Sequence, residues 1–360
     1  MVKSVYIHIP FCLSKCRYCS FISFNKLEKK TGYLYSLLKE IDYYYKEENL
    51  DTIYFGGGTP SLFSVNELKK ILDKFNYSNN TEITIEVNPD SVNFEYLRGL
   101  KEVGFNRLSI GSQSFDDEIL KIIGRRHNSE QIFQTIDWAK QAGFNNISVD
   151  LIYGLPNQTL DIFEKDLDKI NTLDIQHVSL YGLKIEEGCY FYNNYPENIA
   201  DEDLQADMYL KAIEKLEKFE HYEISNFAKN GCESKHNLNY WKENEYYGFG
   251  VAAHGFVDGV RYSNYCTLEE YMDNPISHEF GKFLTEQEQL EESIFLGFRI
   301  SKGININEIN SRFNINFCEK YKKVLDKYTE TGHIIKTNLG YCLSNEGFLL
   351  SNLILAEFIK

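Results

Sequence analysis

The chain has 360 residues, with 38 Lys and Arg against 53 Asp and Glu, a formal net charge of −15. Hydrophobic residues make up 43% and aromatics 15%, which suits a large buried core and excludes a disordered chain. The acidic balance argues against a nucleic-acid protein, which would carry a basic footprint, and no stretch approaches the ~18 apolar residues of a membrane span.

The opening residues already read as a strand, so no signal peptide is expected before the fold, and a cytoplasmic location follows. Strands are expected at 5–9, 52–55, 82–87, 107–110, 147–151 and 177–183. Between them lie segments of helical apolar spacing, such as Leu34, Leu37, Leu38 and Ile41, or Leu68, Ile71, Leu72 and Phe75. This alternation builds βαβ units around a parallel sheet. Without a dinucleotide glycine fingerprint, the reading is an α/β barrel, complete or partial. Cys12, Gly56-Gly57-Gly58-Thr59-Pro60, Glu86, Gln113, Asp150 and Tyr181 all fall at or just beyond the C-terminal ends of the expected strands. Barrels build their sites on that rim. A helix is expected at 201–219, then an aromatic stretch from 222 to 265. From about 285, three helical segments precede a hairpin at 333–343 and a final helix near 345, a small α+β winged-helix-like unit. Its segment 317–330 mixes Lys320, Lys322, Lys323 and Lys327 with Glu319, Asp326 and Glu330, a solvated face rather than a DNA-reading one. The expected division is a barrel at 1–220, an aromatic connecting region at 221–284 and the C-terminal unit at 285–360.

Of the eight cysteines, five are scattered and read as small hydrophobes or surface thiols. The others, Cys12, Cys16 and Cys19, form C-x3-C-x2-C. Three thiolates on one short loop can converge on a soft metal centre at little loop-closure cost. Structural zinc would want a fourth protein ligand. Iron–sulfur clusters usually take four cysteines, so three would leave one iron open to a small molecule. The spacing by itself leaves an open [4Fe–4S] cluster, zinc and no metal as alternatives.

The cysteine motif, with Tyr18 before its last cysteine, resembles that of the radical S-adenosylmethionine (SAM) superfamily. The resemblance implies a [4Fe–4S] cluster whose open iron chelates SAM, and reductive cleavage of the sulfonium bond to a 5′-deoxyadenosyl radical. The cofactor supplies that chemistry and the protein supplies geometry. Gly56-Gly57-Gly58-Thr59 resembles the family's glycine-rich strand end, where backbone approaches the methionine part of SAM; alone it would mark a tight turn. Tyr6-Ile-His-Ile-Pro-Phe-Cys, Glu86-Val-Asn-Pro, Ser109-Ile-Gly-Ser-Gln-Ser-Phe-Asp, Gly124-Arg-Arg-His and Val149-Asp-Leu-Ile-Tyr-Gly-Leu-Pro are similar to the oxygen-independent coproporphyrinogen III oxidase branch. Carried over by position, Tyr6, Tyr18, Gly57, Gly58, Thr59, Glu86, Gln113, Arg125, Asp150 and Lys184 would hold SAM, with Arg125 facing its carboxylate.

Two departures separate this chain from the decarboxylating oxidases of that branch. Phe21 stands where they carry a further cysteine, and almost nothing precedes the first strand. His236-Asn-Leu-Asn-Tyr240-Trp241 instead resembles the H-N-x-x-Y-W motif of the branch's heme chaperones. The resemblance implies heme contact by His236, Tyr240 and Trp241, with His236 as the axial nitrogen; without it, a His beside a Trp reads as structural. The implied partners are heme, a recipient apo-hemoprotein and a flavodoxin or ferredoxin electron donor. No catalytic residue is assigned. The alternative is radical decarboxylation of coproporphyrinogen III.

Overall fold

Outward apolar and inward polar side chains alternate along the first six strands of the computed structural model, which describes residues 2–359. These strands are β1 Ser4–Ile9, β2 Asn49–Gly57, β3 Asn76–Val87, β4 Arg107–Gln113, β5 Ile147–Tyr153 and β6 His177–Gly182. They pair in parallel in chain order, as the βαβ pattern requires. β3 begins earlier than expected, with a polar, exposed start at Asn76.

One face of the sheet carries Ile7, Ile53, Phe55, Ile85, Ile110, Val149 and Leu180, all buried in the main core. The intervening helices bury their apolar stripes there too. The helix Val65–Leu72 buries Leu68, Ile71 and Leu72 and starts from a reciprocal Ser64–Glu67 cap. Because side chains alternate along a strand, the other face carries Tyr6, His8, Tyr54, Glu86, Arg107, Ser109, Ser148, Asp150 and His177. An ordinary barrel of this kind fills its interior with branched aliphatics. This one is lined with polar and aromatic groups.

The remaining strands flank these six. β7 Glu220–Glu223 and β8 Asn226–Ala228 continue the sheet antiparallel beyond β6. β9 Tyr246–Phe249 runs parallel beside β1, and β10 His254–Val257, β11 Val260–Ser263 and β12 Phe280–Phe283 follow antiparallel. The result is one twelve-stranded sheet that begins at β12 and ends at β7, a barrel that does not close. Strands within residues 221–284 extend the barrel sheet on both flanks. Between the flanks, the helix Lys235–Trp241 packs against β2 near the N-terminal ends of the strands.

The C-terminal unit holds the helices Glu286–Gly297, Ile306–Phe313, Phe317–Lys320 and Lys322–Glu330, then Asn345–Leu349 and Ser351–Ala356. A second sheet of β13 Ile304–Asn305, β14 Ile334–Lys336 and β15 Gly340–Leu343 has the order β13-β15-β14. The expected hairpin is β14–β15, with Ile334 opposite Leu343. The expected helix at 317–330 breaks at Tyr321, whose φ of −109° and ψ of 19° leave the helical region. Among the described residues, no helix is long and apolar enough to cross a membrane.

Candidate functional site

A cavity of about 380 Å³ opens at the C-terminal rim and runs into the barrel. Its outer wall is the loop after β1. That loop is fixed by backbone bonds rather than by its cysteines. Cys12 N–H donates to Phe24 O at 3.0 Å, Arg17 N–H to Ile123 O at 3.0 Å, and Cys19 N–H to Cys16 O at 3.2 Å. The thiols of Cys12, Cys16 and Cys19 are free and all line the cavity. Burial pushes the Cys19 thiol up to about 11, so a bound cation is needed to hold it as thiolate near neutral pH. Among the described residues, no three His, Cys, Asp or Glu side chains close on a point as a single ion would demand. The three sulfurs instead ring a space, with Thr59 Oγ1 3.5 Å from Cys12 and an Arg125 nitrogen 3.6 Å from Cys16. That donor set fits an iron–sulfur cluster better than a lone zinc ion.

The SAM-facing wall is built from β2 to β5. Gly57 has φ +110°, and a Cβ there would lie 2.5 Å from the His8 ring; one on Gly58 would lie 2.8 Å from Phe11 O. Backbone without side chains is therefore required at this strand end. Gly57 N–H and Tyr54 OH donate to the two oxygens of Glu86 at 3.1 and 2.9 Å. Burial, reinforced by the nearby Asp150 charge, raises the Glu86 carboxyl to about 7. Burial also raises Asp150, against hydrogen bonds from Ser179, Ser109 and Ser148. Two buried acceptors of this kind suit an ammonium and ribose hydroxyls. Gln113 sits at φ +70° beside a bulge in β4, a strained backbone of the sort that collects at ligand sites. Arg125 donates to Asn88 Oδ1 at 2.6 Å and to the Gly111 carbonyl.

Of the residues expected around SAM, Tyr18, Gly57, Gly58, Thr59, Glu86, Gln113, Arg125, Asp150 and Lys184 line this cavity. Lys184 reaches it only from the exposed rim, paired with Glu186 at 2.7 Å. Tyr6 is not among the lining residues. It bonds His8 at 3.0 Å and stacks behind Tyr54, because its strand carries it one layer deeper. Sequence reasoning missed Tyr54, Arg107, Ser109, Ser179 and Asn237, which also line the cavity. Period-two spacing back from Gly56, Gly111 and Tyr181 would have found most of them.

The three residues expected to contact heme are not gathered into one pocket. His236 is 1% exposed. Its Nδ1 bonds Thr52 Oγ1 at 2.8 Å and its Nε2 bonds Tyr240 OH at 2.7 Å. Its ring stacks on Tyr54, and burial lowers its pKa to about 3. Tyr240 faces a separate groove of about 570 Å³ between β9, β11 and the helix Glu286–Gly297. Trp241 lies under the Arg299 guanidinium. The residue of this motif that enters the cysteine cavity is Asn237.

An open parallel barrel with three rim thiols and a glycine strand end defines a radical SAM protein. The model of the radical SAM superfamily matches residues 6–170, and the model of the HemN C-terminal domain matches residues 284–350. The chain is 38% identical to the heme chaperone HemW of Bacillus subtilis, over 99% of both chains. It is 36% identical to the HemW of Escherichia coli, over 71% of both. The solved structure of coproporphyrinogen III oxidase (HemN) from Escherichia coli shares its fold, at a TM-score of 0.88 and 23% identity, covering 100% of this chain and 90% of that one. The chain belongs to the HemW family of radical SAM proteins. Membership brings a [4Fe–4S] cluster and SAM, and such a cluster supplies reductive cleavage of SAM when bound.

Proposed function

We propose that the protein binds heme and delivers it to an apo-hemoprotein, with its cluster and SAM serving assembly or release of the cargo. The carrying observation is the kinship with curated heme chaperones over 99% of the chain. Phe21 supports the same reading. It stands 67% exposed on the cavity wall at the position of the oxidases' additional cysteine. In this reading Cys12, Cys16 and Cys19 hold the cluster. Glu86 and Asp150 receive the ammonium and hydroxyls of SAM, Arg125 stands near its carboxylate, and the glycine strand end accepts its methionine portion. His236 acts as the tie that holds the helix Lys235–Trp241 in place, and becomes an axial ligand only when Tyr240 and Thr52 release it. The protein works in the cytoplasm and takes its electron from a reduced flavodoxin or ferredoxin.

Two assays on anaerobically reconstituted protein test the reading. Heme titration is expected to give a saturable Soret change, and a heme-free acceptor protein is expected to acquire that heme. Incubation with SAM, a reductant and coproporphyrinogen III is expected to give no protoporphyrinogen IX. Multiple-turnover formation of protoporphyrinogen IX would replace the chaperone reading with the enzyme one.

A further inference from the structure

Arg107 opens β4, and its side chain points inward, two residues before Ser109 and four before Gly111 on the same face of the strand. It is 2% exposed, among the largest fully buried side chains of the molecule. Its Nε has no hydrogen-bond partner, and among the described residues no carboxylate lies within ion-pair distance of it; Glu86 and Asp150 act on it only at longer range. A guanidinium taken out of water without a direct hydrogen-bonded counter-charge is unfavourable, and arginine cannot lose its proton to escape the cost.

The acids nearest the cavity are already engaged. Glu86 accepts from Tyr54 and Gly57, and Asp150 accepts from Ser109 at 3.0 and 3.1 Å and from Ser148 at 3.3 Å. The other cavity cation, Arg125, is tied to Asn88, Gly111 and Cys16. Arg107 is thus the buried cation of the cavity with a fork left over. Asn237, carried in by the helix Lys235–Trp241, lines the same cavity. At the mouth, Phe21 and Tyr181 present half-exposed or exposed rings. The cavity therefore has a flat apolar entrance and a cationic floor. The second groove has the opposite charge, being lined by Glu243, Glu288, Glu291 and Glu292, with Arg261 already paired to Glu292 at 2.6 Å.

We propose that the floor of the barrel cavity is a carboxylate subsite built on Arg107 and, resting on the heme reading above, that it receives a propionate of the tetrapyrrole. Arginine suits this role because its planar fork matches a carboxylate in two parallel hydrogen bonds.

The test uses cluster-loaded protein without SAM, titrated with heme and with heme dimethyl ester, whose propionates are neutralised. Wild type is expected to bind free heme at least about tenfold tighter than the ester, the effect of one charge-assisted hydrogen bond. Arg107→Gln is expected to bring that ratio close to one, with a normal circular-dichroism spectrum. Arg107→Lys keeps the charge without the fork and is expected to fall between; it decides the matter if the glutamine variant does not fold. A wild-type ratio near one, or a ratio unchanged in both variants, overturns the subsite while leaving heme binding intact. Failure of wild type to bind either compound overturns the heme reading and the subsite with it. SAM affinity is measured in parallel. If it falls while the heme ratio stands, Arg107 serves the carboxylate of SAM and the proposal is overturned.

Discussion

At the C-terminal rim of the barrel, three thiols stand on a loop whose backbone is fastened by main-chain bonds, and the sulfurs face a cavity with little to hold them. At the opposite mouth, His236 has both ring nitrogens bonded, its backbone N–H donating to Glu82, and its ring stacked on Tyr54. Both motifs carry residue types that bind metals, and both stand out in the sequence. The structure leaves one free for a ligand and uses the other to join a late helix to strands laid down some 150–180 residues earlier. A metal-binding residue type identifies a candidate, and the state of its donor atoms decides what it does.

That contrast can be broken by experiment. Replacing Cys12, Cys16 or Cys19 with Ala is expected to remove nearly all cluster iron and its visible absorbance, while the far-ultraviolet spectrum and melting temperature of the apo-protein stay unchanged. A collapse of the fold instead would show that the loop depends on its sulfurs. His236→Ala is expected to do the reverse. It keeps the iron and loses about 2–4 kcal/mol of unfolding free energy in denaturant titration, since it empties a buried site and leaves Thr52 and Tyr240 unpartnered. Iron lost together with stability would mean that rim and floor are one unit.

The acid wall sharpens the comparison further. Glu86 is raised to about 7 by burial, above its ordinary 4.5. Its ionisation is therefore postponed, and apo-protein stability from this group declines as pH rises between about 4.5 and 7. The ammonium of SAM favours the ionised form, so SAM affinity is expected to strengthen across pH 6–8. Glu86→Gln is expected to weaken SAM roughly tenfold at pH 8 and to flatten the pH dependence, read by equilibrium dialysis. Affinity that rises with pH in the variant too would assign the dependence elsewhere. His236, lowered to about 3 by burial, acts at the other end of the scale. It contributes stability above pH 6.5 that is lost progressively as pH falls toward 3. The smallest effect belongs to Lys184, whose pair with Glu186 is exposed. Lys184→Ala is expected to alter SAM affinity by less than about twofold.

How much of this was legible depended on distance along the chain. β1 to β6 showed themselves because each is a local apolar run followed by a glycine, acid or turn residue. The site residues at their ends followed from the rule that one rim collects them. β7 to β12 did not, because they are three or four residues long, and the two groups they form join the sheet through strands far away in sequence, β9 with β1 and β8 with β6. Arg107 reads locally as the start of a strand; period-two spacing from Gly111 turns it inward, but nothing local marks its guanidinium as unpaired. The burial of His236 depends on Thr52, Glu82 and Tyr54, none near it in sequence, so its motif gave no sign that its ring nitrogens are bonded within the fold. Tyr321 breaks a helix that spacing alone would have continued.

The sheet's two ends, β12 and β7, never meet. A closed cylinder has its girth fixed by strand number and stagger, and stretching it must break rungs of its ladder. An open sheet carries no such constraint, so its girth is set by how β7, β8 and β9 to β12 pack at the two edges and not by a closed ring of rungs between β1 and β6.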